Sequence, residues 1–239
     1  MSIAEKLTTI AENEQKVYEA GQKKGYDDFW DTYQQDGNRA SAAYMFAYWD
    51  AKLITPKYDI VSPTSAQGMF YYSTISGDVE EFFAKQGRRL DLTGITNTYG
   101  INQIFRGCYN ITRVGVIDGS NCSQFIETFY GCPALETIEK LIFTDKLTNY
   151  GATAFTNCIK LKNLVVEGTI ARNFNISPCS SLTVDSALTI IRALKDNSGT
   201  TDAGKYTVTF HNNVVTQLSS ALCDGIPALD VIKNKGWSY

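Results

Sequence analysis

Phe105-Arg-Gly-Cys108-Tyr-Asn-Ile111-Thr-Arg-Val114, Phe129-Tyr-Gly-Cys132-Pro-Ala-Leu135-Glu-Thr-Ile138 and Phe155-Thr-Asn-Cys158-Ile-Lys-Leu161-Lys-Asn-Leu164 can be laid over one another. Each reads Phe-x-x-Cys-x-x-apolar-x-x-apolar, with the cysteines 24 and then 26 residues apart. A period in the twenties marks stacked repeats, because one unit cannot bury its apolar positions alone. The steps of three suit turns or short 3₁₀ segments, where residues i and i+3 eclipse. All six cysteines have a large apolar residue three places on: Ile111, Phe125, Leu135, Leu161, Leu182 and Ile226. Cys223 lacks a Phe three places before it, so its match to the pattern is expected to be chance. Before Cys179, Ile176 stands where Phe stands in the other units. A shared place in a repeat predicts a column of reduced thiols rather than disulfides, since free cysteine packs as a small hydrophobe.

The Phe-x-x-Cys-x-x-Leu-x-x-Ile pattern resembles the BspA-type (Treponema-type) leucine-rich repeats of bacterial surface and phage-associated proteins. The chain start and the ending Lys235-Gly236-Trp237-Ser238-Tyr239 resemble prophage-type proteins of gut Firmicutes. The resemblance implies an α+β repeat fold. Its parts are a leucine-rich-repeat solenoid with a narrow parallel sheet, an N-terminal helical segment and an α/β C-terminal cap. Residues 1–60 are the expected helical segment and linker, 61–181 the solenoid and 182–239 the capping region.

Outward from the repeats, Val114-Gly-Val116, Leu141-Ile-Phe143 and Leu164-Val-Val166 are matched as the strands of successive units, being rich in β-branched or large apolar residues. Met69, Tyr72 and Ile75 read as a degenerate first turn, and Phe82-Phe83, Leu90 and Leu92 as a second. Pro56 and Pro63 mark the linker. Ile3, Leu7, Ile10 and Val17 predict a helix over 3–24, with an apolar seam open to two readings: packing on the next helix or self-association. Tyr26, Phe29, Trp30 and Tyr33 form an aromatic stripe, and Ala43, Phe46, Ala47 and Trp49 a second, at helical spacing. Residues 1–52 are thus expected to form a hairpin or a stalk, with homo-oligomerisation through them as one outcome. Beyond Ser181, a helix face is traced by Val184, Ala187, Leu188, Ile191 and Leu194, a strand by Tyr206 to Phe210, and a further helix by Val214, Val215, Leu218, Ala221 and Leu222. A last helix is expected from Pro227 to Gly236, with Trp237–Tyr239 as a final strand.

Chemistry is harder to find. With 22 Lys/Arg against 25 Asp/Glu the net charge is −3, and the excess acid lies in residues 1–60. No nucleic-acid footprint is expected, although Arg88, Arg89, Arg106 and Arg113 could make a local basic patch. There is no phosphate-binding glycine loop, no nucleophile elbow and no Cys-x-x-Cys, and His211 is the only histidine. No catalytic residue, cofactor or metal site is therefore expected; a carboxylate pair assembled across turns, as in glycosidases, remains as the enzyme alternative. No apolar run reaches the ~18 residues of a membrane span, and Met1-Ser-Ile-Ala-Glu-Lys lacks the features of a secretory signal. A route to the outside without such a signal, for example with a phage particle, is the corresponding expectation.

What is left is surface. Among fourteen tyrosines, Tyr99, Tyr109, Tyr130 and Tyr150 sit at related points of the repeats, either along one exposed strip or partly buried, and none is singled out as a ligand-binding residue. The expected function is non-catalytic recognition or adhesion toward a protein or carbohydrate partner on a cell surface, as the resemblance implies. A structural part of a phage tail, or a cell-wall glycosidase, are the alternatives.

Overall fold

The computed structural model describes Lys16, Ala20, residues 42–48, Asp50, Ala51, Pro56 and residues 59–239. The helix expected over 3–24, the stripe from Tyr26 to Tyr33 and Trp49 lie outside the described residues, as does most of the 1–52 segment. In chain order the elements are β1 (Ile60–Val61), β2 (Ser76–Asp78), α1 (Val79–Ala84), β3 (Leu90–Asp91), β4 (Asn110–Asp118), β5 (Thr137–Phe143) and β6 (Asn163–Gly168). They continue as β7 (Phe174–Asn175), α2 (Val184–Ala193), β8 (Tyr206–Thr209), α3 (Asn212–Leu218), β9 (Leu222–Cys223), β10 (Ile226–Pro227), α4 (Ala228–Asn234) and β11 (Trp237–Ser238).

The largest sheet is four-stranded and parallel, in the order β2-β4-β5-β6. Its register pairs Val114 with Ile138, and Ile138 with Leu164; Ile117 pairs with Leu141, and Leu141 with Val166. This corrects the strand correspondence read from sequence, which put Leu141 opposite Val114. The cause is a bulge: β4 and β5 hold one more residue between these two buried positions than β6 does, and the register shifts between Ile138 and Leu141.

A second layer runs alongside the sheet without being regular strand. Residues 42–48, 66–73 and 100–107 are successive turns, and alternate amides reach the next turn. Ala42, Tyr44, Phe46 and Tyr48 donate to the carbonyls of Ser65, Gln67, Met69 and Tyr71, while Phe70 and Tyr72 donate to Ile104 and Arg106. The amides in between close local turns, such as Met45 to Ala42 and Tyr71 to Gly68. Each residue with a cross-turn bond thus sits above a partner from the next turn, and the side chains line up in columns.

One column is phenylalanine. Phe46, Phe70, Phe105, Phe129 and Phe155 stack in sequence, with ring centroids 5.2, 5.3, 5.7 and 5.8 Å apart and near-parallel planes. Another is thiol: Cys108, Cys132 and Cys158 each donate Sγ–H to the carbonyl of the phenylalanine one turn earlier, Phe70, Phe105 and Phe129, at 2.9–3.0 Å. All six cysteines are free. Ile111, Phe125, Leu135, Leu161 and Leu182 are buried, whereas Ile226 is 46% exposed, so the Cys223 match is indeed outside the packing pattern.

The column begins earlier than the cysteine motif. The turn outlined by Met69, Tyr72 and Ile75 is framed on Phe70, which occupies the phenylalanine position with buried Ser73 where cysteine stands later, and it follows the turn of Phe46 rather than coming first. Residues 42–48 run as turns rather than the helix that Ala43, Phe46 and Ala47 suggested, with Tyr44 at φ 56° and Tyr48 at φ 54°. A step of three serves a turn as well as a helix, and here cross-turn bonds to residues 65–71 decide between them. The longer interval between Phe70 and Phe105 accommodates α1, which sets Phe83 edge-on to Phe46 and Phe70 at 5.8 and 6.1 Å.

At the other end, α2 lies along β6. Ser186 Oγ accepts from the Leu164 amide and Thr189 Oγ1 from the Val166 amide, at 2.9 and 3.1 Å. Hydroxyls thus satisfy donors that a further strand would otherwise pair. The helix stops at Ala193, and Leu194 turns extended to bridge Ile170. Beyond it, β7, β8 and β11 form a small parallel sheet. α3 ends at Leu218, shorter than its apolar spacing suggested, because Leu222 enters the β9–β10 hairpin. His211 caps α3, its Nδ1 accepting from the Asn213 amide at 3.2 Å.

Candidate functional site

The turn layer puts two residues of each early turn in the left-handed region. Tyr48, Tyr72, Gly107, Gly131 and Asn157 follow one another along the cross-turn bonds, and all have φ between 53° and 74°. Glycine is the undemanding choice there; a bulky side chain carries strain of about 1–3 kcal/mol. Two early turns nevertheless carry tyrosine.

The glycines make room for these rings. A Cβ on Gly107 would lie 2.5 Å from the Tyr72 ring, and one on Gly68 2.3 Å from the Tyr44 ring. The tyrosines therefore lie down along the stack rather than standing off it. Tyr48 stacks on Tyr72 at 5.8 Å with planes 7° apart, Tyr71 meets both edge-on, and Tyr109 meets Tyr72 at 6.2 Å. Tyr48 is 68% exposed and Tyr109 53%. Gly107→Ala is accordingly expected to cost about 1–3 kcal/mol through its backbone conformation alone and to displace Tyr72; urea unfolding, with near-ultraviolet circular dichroism for the rings, checks both.

A polar row runs beside the aromatic one. Gln67 Nε2 donates to Tyr44 Oη, Tyr44 donates to Gln103 Oε1, and Gln103 Nε2 donates to Glu127 Oε2, at 3.4, 3.5 and 2.9 Å. Glu127 also pairs with Arg106, whose guanidinium lies 5.5 Å from the Tyr71 ring centre and 5.0 Å from that of Tyr130. Arginine over aromatic faces holds both in place. The result is a ribbon of tyrosine rings edged by amides and one neutralised ion pair, crossing four turns.

Of the four tyrosines noted in the sequence, Tyr109 and Tyr130 belong to this ribbon. Tyr150 is 3% exposed, its hydroxyl donating to Thr169 O and accepting from the Ala171 amide. The single strip running through Tyr99, Tyr109, Tyr130 and Tyr150 therefore does not form. Tyr44, Tyr48 and Tyr71 have no mark in the repeat pattern, and Tyr72, which that pattern puts in a turn with Met69 and Ile75, joins them in the ribbon; their signal is spacing, one and two residues beyond Phe70 and two either side of Phe46.

The arginines do not gather into a basic patch. Arg106 pairs with Glu127, Arg89 with Asp91, and Arg113 with both Asp78 and Glu139 at 2.6 Å. No described helix is long and apolar enough to cross a membrane, and no group of three His, Cys, Asp or Glu among the described residues is placed to hold a metal ion. Burial pushes the thiols up, Cys122 to about 11 and Cys158 to about 12, so they are un-ionised at neutral pH and poor nucleophiles.

One acidic cluster is unusual. Glu80, on α1, reaches across β4, and its Oε1 accepts from the Gly115 amide at 2.8 Å, while Oε2 is buried without a donor. Burial, with Asp78 beside it, raises its carboxyl to about 7. Burial works to raise Asp78 too, but the Glu81 amide and Arg113 outweigh it and leave that carboxyl below its ordinary range.

No family model, curated protein or solved structure matches the chain. Its function rests on its own geometry.

Proposed function

We propose that this protein is a non-catalytic recognition module, a leucine-rich-repeat-like solenoid of the BspA type that presents its tyrosine ribbon to a protein or carbohydrate on a cell surface. The observation that carries the reading is that exposed Tyr48 and half-buried Tyr72 are held at positive φ, at a position where later turns use glycine or asparagine. Backbone strain of this kind is retained where it does something, and the core does not require these rings: their faces lie outside the phenylalanine column. Tyrosine supplies large contact area with few rotatable bonds and a polar tip, which suits both protein hot spots and sugar faces. In this reading the hydroxyls of α2 and the small sheet behind it close the open end of the solenoid.

The test is binding of the intact chain to a glycan array and to cell-surface extracts, beside Tyr48→Ala and Tyr109→Ala. Loss of a central ring is expected to weaken binding by roughly 30-fold, the scale of a hot spot of about 2 kcal/mol, without lowering the melting temperature. Full binding by both variants, or none by the native chain across sugars and extracts, would count against the ribbon.

A further inference from the structure

A second concavity lies where the turn at 148–152 meets β7 and β8, and it shares no residue with the ribbon. It encloses about 560 Å³ and is lined by Thr148, Asn149, Arg172, Asn173, Tyr206 and Thr209, among others. Ligand cavities commonly run to about 300–1,000 Å³ and carry a few convergent polar groups.

Its hydrogen-bonding capacity is one-sided. Asn149 Oδ1 accepts from the Gly151 amide and Asn173 Oδ1 from the Thr207 amide, at 3.1 and 2.9 Å. Both side-chain oxygens are thus used, and both NH₂ groups are left without a protein acceptor among the described residues. The Thr209 hydroxyl is likewise unused. Arg172 lies 4.9 Å over the Tyr206 ring and donates one N–H to Ala171 O at 2.8 Å, but makes no ion pair among the described residues. The nearby acids are engaged by lysines: Asp202 by Lys205 at 3.0 Å and Asp145 by Lys195 at 3.9 Å. No carboxylate is among the described residues that line the cavity.

A cavity rich in free donors, with one unpaired guanidinium and an aromatic wall, calls for a ligand rich in acceptors that carries a single negative charge and a face to stack. We propose that this cavity binds a sugar bearing one carboxylate, such as a hexuronic acid residue, with Arg172 taking the carboxylate, Tyr206 the ring face, and Asn149, Asn173 and Thr209 the hydroxyls. Arginine suits this role because its planar fork matches a carboxylate and its remaining donors stay fixed by the stack on Tyr206.

The test is calorimetric titration of the full chain with oligogalacturonate, the corresponding neutral oligosaccharide and inorganic phosphate. Saturable binding of the uronate is expected, with the neutral sugar at least about ten-fold weaker, a difference of about 1.4 kcal/mol. Arg172→Gln should weaken the uronate about ten-fold or more and leave the neutral sugar unchanged. Arg172→Lys keeps the charge and should still lose part of the affinity. Thr209→Val, at an exposed hydroxyl, provides a second variant should Arg172→Gln melt early. Tyr48→Ala should leave this binding untouched, so failure of the ribbon and failure of this cavity are read separately. Absence of uronate binding, equal binding by Arg172→Gln, or phosphate binding as tightly as the uronate would overturn the proposal.

Discussion

Replacing Phe129 by alanine is expected to remove about 3–5 kcal/mol of folding free energy, seen as a lower urea midpoint with an unchanged slope. Phe129 sits inside the column, 5.7 Å from Phe105 and 5.8 Å from Phe155, with Phe125 edge-on at 6.1 Å. Its removal leaves a void whose walls belong to three different turns. Each of those turns is tied to the next by backbone bonds such as Phe105 to Thr128 and Phe129 to Ala154, so the walls cannot close in. Leu135→Ala and Leu161→Ala, at fully buried positions, should cost about 2–5 kcal/mol each for the same reason. Lys160→Ala, at an exposed position, should be nearly silent. Glu136→Ala should cost at most about 1 kcal/mol, because its 3.2 Å pair with Lys162 is half in solvent. Equal, small effects at Phe129, Leu135, Leu161 and Lys160 would show that the columns do not hold the molecule together.

Glu80→Gln should make the protein more stable at pH 8, and the gain should vanish near pH 5. The folded carboxyl keeps its proton to about pH 7, against an ordinary value of 4.5. Between those two values the folded state binds more protons than the unfolded chain, so stability falls as pH rises through that window and levels off above it. The full effect is bounded at about 3 kcal/mol. Glutamine keeps the acceptor for the Gly115 amide, with no charge to desolvate. Asp78 acts in the opposite sense: its lowered value contributes stability above about pH 4 that is lost only in stronger acid, so it does not mask the window. Thermal melts of both proteins from pH 5 to pH 8 decide the matter. Parallel curves would mean that Glu80 is ionised and solvated throughout.

How far the residues alone reveal this molecule depends on what each column is made of. Phe105, Phe129 and Phe155 declare themselves because burial selects residue type, and a ring, a thiol and a leucine at steps of three are an improbable run outside a stacked turn. The same column is hidden at Phe46 and Phe70, where serine or another residue replaces the cysteine and α1 stretches the interval. The helical spacing at Ala43, Phe46 and Ala47 misleads because turn and helix share a step of three, and only hydrogen bonds to a distant segment separate them.

The ribbon and the cavity are of another kind. Nothing local distinguishes Tyr48, which lies 68% exposed, from Tyr150, which is 3% exposed. The difference comes from what stands one turn away: Tyr48 lies on the ring of Tyr72, which is itself bedded on Gly107, whereas Thr169 and Ala171 hold the hydroxyl of Tyr150. Likewise Arg172 and Tyr206 are 34 positions apart, and meet because β7 pairs with β8. Burial preference is a property of a residue and is written along the chain; exposure, strain and the meeting of donors are properties of pairs, and exist only once the turns are stacked.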